Sequence, residues 1–280
     1  MLVEKAAGIG FCYGVKRCID LLEKAAGEQG AITSLGAPVH NQQVLERLAR
    51  RGIHIASRID EMEGKVAAIS AHGVGPLVEA ELKARFSKVI DTTCPFVHRA
   101  QLAARRLAKA GFFVVVYGEA EHPEVKGILG WAEGRGAATM DVDFALKNDL
   151  PRRIGVLSQT TQLLPHFTEF AKKMIDSALV KNGEIRIIDT ICHDIRQRQQ
   201  STIELARKVN VMLVVGSRTS ANTKHLVDFC ATATKTYLVQ TAAEIQTAWF
   251  QGCRRAGVTS GASTPEETID EVTEKLKTIA

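Results

Sequence analysis

The sequence predicts an α/β protein built from several small units with parallel sheets. Three observations carry this. Short β-branched runs alternate with amphipathic stretches along the whole chain. Two of those runs end in near copies of one motif, Val89-Ile90-Asp91-Thr92-Thr93-Cys94 and Ile187-Ile188-Asp189-Thr190-Ile191-Cys192. No long Pro/Gly/Ser linker separates them, so the units are expected to follow one another closely.

Taken in order, strands are expected over 31–35, 66–70, 89–91, 112–117, 154–157, 185–189, 211–215, 237–240 and 257–260, where Val, Ile, Thr and aromatic residues cluster. Helical spacing of apolar residues fills 43–51, 78–86, 101–110, 166–180, 202–209 and 266–279. Gly8-Ile9-Gly10-Phe11-Cys12-Tyr13-Gly14 reads as a glycine-rich turn opening a helix, with no convincing strand before it. It also misses the dinucleotide-binding spacing, and no Walker loop occurs.

Composition narrows the function classes. At 280 residues the chain suits two or three small domains, and 45% apolar content is ample for their cores. With 5% aromatics and basic residues scattered beside acidic ones, the net charge of +5 is no nucleic-acid tract. No apolar run approaches the roughly 18 residues of a membrane span. The start lacks the apolar core of a signal peptide, so reduced thiols in a cytosol are expected.

Cys12, Cys94 and Cys192 give each third of the chain one thiolate. Three remote thiolates brought to one point can hold a metal cluster and leave one metal position without a protein ligand. Catalytic zinc is the competing metal, although it normally mixes in histidine. Cys18 shares a helix face with Val15, Ile19 and Leu22 and reads as core, as does Cys230 one turn after Leu226. Cys253 carries no motif.

In parallel sheets, ligands bind beyond the carboxyl ends of the strands. The loops there carry His40-Asn41, Ser70-Ala71-His72, His122-Pro123-Glu124, Gln159-Thr160-Thr161, Ser217 to Asn222 and Ser260 to Thr264. Short hydrogen-bond donors of this kind suit an anion such as a diphosphate, and helix N-termini reinforce them. Taken singly, each loop is explained by helix capping alone. His40, His72 and His122 close strand-to-helix loops, where a neighbouring anion would favour the cationic ring. His54, His98, His166 and His225 read as surface residues. Glu124 reads either as first-turn helix charge or as a proton donor raised by burial.

These motifs in series resemble the 4-hydroxy-3-methylbut-2-enyl diphosphate reductase family, the last enzymes of the non-mevalonate isoprenoid pathway. The resemblance rests on Gly10-Phe11-Cys12-x-Gly14-Val15, Val39-His40-Asn41, Ala71-His72-Gly73-Val74, Thr93-Cys94-Pro95, His122-Pro123-Glu124-Val125, Gln159-Thr160-Thr161, Asp189-Thr190-Ile191-Cys192 and Gly257 to Ser263. It implies a 4Fe–4S cluster on Cys12, Cys94 and Cys192, with one iron lacking a protein ligand. It implies that His40, His72, His122, Thr160, Ser220, Asn222 and Ser263 surround the diphosphate and hydroxyl, and that Glu124, with Thr160, delivers protons. Three α/β units, 13–93, 94–191 and 192–280, would stand in pseudo-threefold array around the cluster, with segment 1–12 joining the third. Electrons would come from ferredoxin or flavodoxin.

Two positions depart from the family pattern. Ala221 replaces a serine, leaving at most a backbone contact to the diphosphate. His193-Asp194-Ile195 follows Cys192 where smaller residues are usual, and His193 and Asp194 could tune the cluster. A different reading is an iron–sulfur or zinc sensor of a phosphorylated ligand, but no output module such as a helix-turn-helix is visible.

Overall fold

The computed structural model describes residues 1–279. The chain begins with β1 (Leu2–Lys5) and α1 (Tyr13–Gln29), then β2 (Ile32–Leu35), α2 (Gln42–Arg50), β3 (Ile53–Ala56), β4 (Val66–Ile69), α3 (Pro76–Arg85) and β5 (Lys88–Asp91). It continues through α4 (Pro95–Lys109), β6 (Phe113–Tyr117), α5 (Pro123–Gly130), β7 (Gly136–Thr139), α6 (Phe144–Lys147), β8 (Arg153–Ser158), α7 (Leu164–Val180) and β9 (Glu184–Ile187). The last elements are α8 (His193–Ala206), β10 (Val211–Val215), α9 (Ala221–Ala231), β11 (Lys235–Val239), β12 (Arg255–Ser260) and α10 (Glu266–Thr278).

The strands form three four-stranded parallel sheets, ordered β3-β2-β4-β5, β7-β6-β8-β9 and β11-β10-β12-β1. The order is the same each time: second, first, third, fourth. In the last sheet the fourth strand comes from the chain start. The inner strands β6 and β10 are near-continuous apolar runs, and Val114, Val115, Val116, Leu213, Val214 and Val215 are fully buried, as a sheet covered on both faces requires.

Contacts divide the chain into two compact units. One comprises Met1–Lys16, Val39–Arg47 and the residues from His193 onward, and holds the β11-β10-β12-β1 sheet. The other comprises Arg17–Pro38 and Leu48–Cys192, and holds the remaining two sheets.

Several expectations are corrected. A strand does precede the glycine-rich turn: β1 pairs with β12, and its last two residues are charged, with Glu4 bonded to Arg255 and Lys5 to Asp270. An edge strand of this kind has no apolar run to betray it. β7 was also unforeseen, because Gly136-Ala137-Ala138-Thr139 is poor in β-branched residues; a Cβ on Gly136 would strike the Val114 carbonyl. Helix α8 starts at His193, well before the expected 202, because its buried face is largely polar (Arg198, Gln199, Thr202) and hides the helical pattern.

The repeated Asp-Thr-x-Cys motif performs the same task in two sheets. The Asp91 and Asp189 carboxylates accept the amides of Thr93 (2.9 Å) and Ile191 (3.0 Å), closing a turn after the strand. The hydroxyls of Thr92 and Thr190 donate to the carbonyls of Ile69 and Ser158 (2.5 Å each), at the ends of the neighbouring strands β4 and β8. The Cys94 amide then donates to Ala71 (3.0 Å) and the Cys192 amide to Thr160 (2.9 Å), each two residues beyond that strand end.

The third sheet repeats this with different residues. The Gly10 amide donates to the Ser260 hydroxyl at the end of β12 (2.8 Å), and the Cys12 amide to Ala262, two residues further on (3.0 Å). In all three sheets the cysteine that follows the fourth strand is tied to the loop that follows the third.

Thr190 is fully buried, and its hydroxyl also accepts the Ser158 amide (2.9 Å). Thr190→Val keeps the shape and orphans that amide, so chemical denaturation should show a loss of about 1–3 kcal/mol. Thr168→Val, at an exposed helix position, should change stability by less than about 0.5 kcal/mol. Equal stability of Thr190→Val and wild type would contradict this role.

Candidate functional site

None of the six cysteines forms a disulfide among the described residues. Cys12, Cys94 and Cys192 each sit immediately before a helix: α1, α4 and α8. The carbonyl of Cys12 accepts the Lys16 amide (3.0 Å) and that of Cys94 the His98 amide (2.9 Å), so both chains turn directly into helix. The Cys12 sulfur accepts the Val15 amide at 3.5 Å. Backbone N–H groups at a helix start favour the thiolate, the form that binds metal. Cys18 and Cys230 are fully buried, as expected, and burial pushes the Cys230 thiol up to about 12. The Cys18 sulfur is occupied with the Thr92 hydroxyl at 3.1 Å.

In the two-sheet unit the acid is built by α5. His122 is its N-cap, with Nδ1 accepting the Glu124 amide (3.1 Å), and Pro123 occupies the first helical position. That places Glu124 in the first turn, 3% exposed. Its Oε1 accepts the Thr160 amide (2.6 Å) and its Oε2 the Thr160 hydroxyl (2.9 Å). Burial pushes the carboxyl up to about 7, and the two Thr160 bonds pull the other way. Helix-end charge alone would neither bury this group nor clamp it.

An Nδ1 that accepts an amide proton assigns His122 the neutral tautomer with its proton on Nε2. His122 is therefore a neutral donor in this structure. The His72 ring meets it edge-on, 5.4 Å between centroids. His72 follows Ala71, the residue holding the Cys94 amide, and Thr160 holds that of Cys192. This unit thus brings His122 and Glu124, at the start of α5, against His72 and Thr160, which lie on the loops that anchor two of the three cysteines.

The single-sheet unit carries Cys12, His40, Ser220, Ala221, Asn222 and Ser263. The Ser263 hydroxyl donates to the His40 carbonyl (3.0 Å), and Asn41 caps α2 through the Val44 amide (3.1 Å). Ser220 caps α9 by accepting the Thr223 amide (3.3 Å). A Cβ on Gly216 or Gly261 would strike the buried Thr223 hydroxyl, so glycine alone lets these loops close on the first turn of α9. Asn222 is 4% exposed, yet neither its Oδ1 nor its Nδ2 has a hydrogen-bond partner among the described residues. An orphaned buried amide costs about 1–3 kcal/mol, which a ligand that engages it would recover. The surface readings of His54, His98 and His166 hold; His225 is half-buried.

Sequence reasoning missed Arg198. Among the described residues, Arg198 and Glu124 are the only Asp, Glu, Lys or Arg side chains that are buried, at 7% and 3% exposure. The only signal was its place on the same helical face as Ile195 and Thr202.

The model of the LytB protein family matches residues 3–277. A 4-hydroxy-3-methylbut-2-enyl diphosphate reductase of Dehalococcoides mccartyi is 56% identical over 100% of this chain and 99% of its own. One of Geobacter sulfurreducens is 39% identical over 99% and 97%. A solved structure of (E)-4-hydroxy-3-methyl-but-2-enyl diphosphate reductase, the terminal enzyme of the non-mevalonate pathway, is 36% identical with a TM-score of 0.70, covering 99% of this chain and 100% of that one. The reductase from Plasmodium falciparum, 24% identical, shares the fold at a TM-score of 0.89 over 99% and 88%. The chain belongs to the LytB family, that of the 4-hydroxy-3-methylbut-2-enyl diphosphate reductases. The sensor reading finds no support among these relatives. No helix is long and apolar enough to cross a membrane among the described residues.

The raised Glu124 value makes stability depend on pH with a definite sign. Its folded value, about 7, lies above the ordinary 4.5. The stability it contributes is therefore present below pH 4.5 and is lost as pH rises through 7. Between pH 5 and 8 the substrate-free protein should lose up to about 3 kcal/mol relative to Glu124→Gln, measured by denaturation at each pH. A stability difference between the two that does not vary with pH would contradict the assignment.

Proposed function

We propose that this chain is an oxidoreductase that reductively removes the hydroxyl of (E)-4-hydroxy-3-methylbut-2-enyl diphosphate, releasing isopentenyl and dimethylallyl diphosphate. Two electrons and two protons replace the C–O bond by C–H and release water. The observation that carries the reading is the double duty of Thr160. Its amide and hydroxyl hold the Glu124 carboxyl, while its carbonyl holds the Cys192 amide. A proton source and a thiolate are thereby fixed by one residue. Full-length relatives that carry this reductase's name support the substrate.

Cys12, Cys94 and Cys192 are the proposed ligands of a 4Fe–4S cluster with one iron lacking a protein ligand. The donor set fits: three thiols outside any disulfide, each opening a helix, and soft thiolates suit iron–sulfur better than the mixed sets of catalytic zinc. Such a cluster, when bound, supplies single electrons and a Lewis-acidic iron. The chain lacks a dinucleotide fingerprint, so ferredoxin or flavodoxin is the proposed electron donor, in a bacterial cytosol.

His40, His72, Ser220, Asn222 and Ser263 receive the diphosphate and hydroxyl in this reading. The unpartnered Asn222 amide and the first turn of α9, with the Ala221 backbone N–H, are its anion-binding elements. His122 adds a neutral Nε2–H. Glu124, partly in its acid form at neutral pH, passes its proton through the Thr160 hydroxyl to the departing oxygen. The Thr160 amide then steadies the carboxylate left behind.

Anaerobically purified protein, supplied with substrate and an artificial reductant, tests this. Ser at Cys12, Cys94 or Cys192 should abolish iron binding and turnover, whereas Ser at Cys18, Cys230 or Cys253 should spare both. Glu124→Gln should keep iron and bind substrate but lose roughly 100-fold or more in kcat. A colourless, zinc-loaded wild type, or near-normal turnover in Glu124→Gln, would overturn the proposal.

A further inference from the structure

Arg198 has no part in the reading above, and its burial needs a cause. A guanidinium taken out of water persists only where charges or acceptors answer it. On α8 it lines a cavity of about 530 Å³ with Gly8, Cys12, Asp194 and Glu204. The Ala7–Cys12 turn is held against it. Gly8 supplies the positive φ of +70 that the turn requires, and a Cβ placed there would lie 4.0 Å from the Arg198 Cγ, so the turn packs beside the Arg198 stem. The Ser201 hydroxyl bonds both the Ala7 carbonyl (2.8 Å) and the Arg198 carbonyl (3.1 Å), tying the turn to the helix. Cys12, Arg198 and Asp194 therefore line one cavity, which sets a buried cation and a carboxylate around the site that the Cys12 thiol enters.

We infer that Arg198 is a positioning residue that sets the reduction potential of the cluster proposed on Cys12, with Asp194 acting against it. The inference rests on the cluster reading. An added electron makes a cluster more negative, and a fixed cation in a buried site stabilises that form with little screening. The half-buried Asp194, lining the same cavity as Cys12, has the opposite effect. The departure from the family pattern after Cys192 thus gains a role: an acid set against a buried base.

The test is a redox titration of anaerobic holoprotein, followed by electron paramagnetic resonance, with iron and sulfide first counted per chain. Arg198→Met should lower the reduced-to-oxidised ratio about tenfold at a fixed potential, which is about 59 mV for a one-electron couple. Arg198→Lys should restore most of that shift, and Asp194→Asn should move the ratio upward. A wild type without iron and sulfide would refute the cluster and this inference with it. A cluster-bearing wild type with Arg198→Met and Asp194→Asn titrating identically would overturn the inference alone. Should Arg198→Met fail to hold iron, Asp194→Asn decides: an upward shift supports the inference and no shift overturns it.

Discussion

One backbone hydrogen bond, made three times, fixes what this protein can do. The amide of Cys12, Cys94 or Cys192 donates to Ala262, Ala71 or Thr160, in each case two residues past the end of the adjoining strand. Parallel pairing makes this possible, because both strands then end at the same edge of their sheet. Each thiol is thereby held beside a loop bearing donors: Ser263, His72, or Thr160 with Thr161. A helix begins at once after each cysteine, so the same short segment supplies a sulfur and backbone N–H groups that favour its anion.

Three buried groups pull against stability, and each makes sense as chemistry. Glu124 is held away from water where ionisation is costly. Asn222 has an amide without partners among the described residues. Arg198 carries a charge inside α8. In a protein tuned for stability alone such groups would be replaced by apolar ones, so their company with the anchored cysteines and capped helices marks where folding energy was traded for function.

Much of this was legible in the residues. Asp-Thr-x-Cys could be read because Asp91 and Asp189 close turns locally while Thr92 and Thr190 end β-branched runs. His122-Pro123-Glu124 advertised a helix start, since capping is local too. The Thr160 clamp on Glu124 spans 36 residues and leaves no periodic trace. The strand before Cys12 was hidden because two of its four residues, Glu4 and Lys5, are charged, which leaves no apolar run. Arg198 was hidden for a related reason: a helix burying polar residues shows no amphipathic stripe. What is local in sequence could be read; what depends on distant partners required coordinates.

The central claim is that three thiolates hold a cluster whose remaining iron meets the substrate. Mössbauer spectroscopy of anaerobic protein enriched in iron-57, recorded before and after addition of (E)-4-hydroxy-3-methylbut-2-enyl diphosphate, addresses it most directly. The account predicts that the signal of a single iron shifts on addition while the others hold. A spectrum without cluster iron, or one that substrate leaves unchanged, would contradict it.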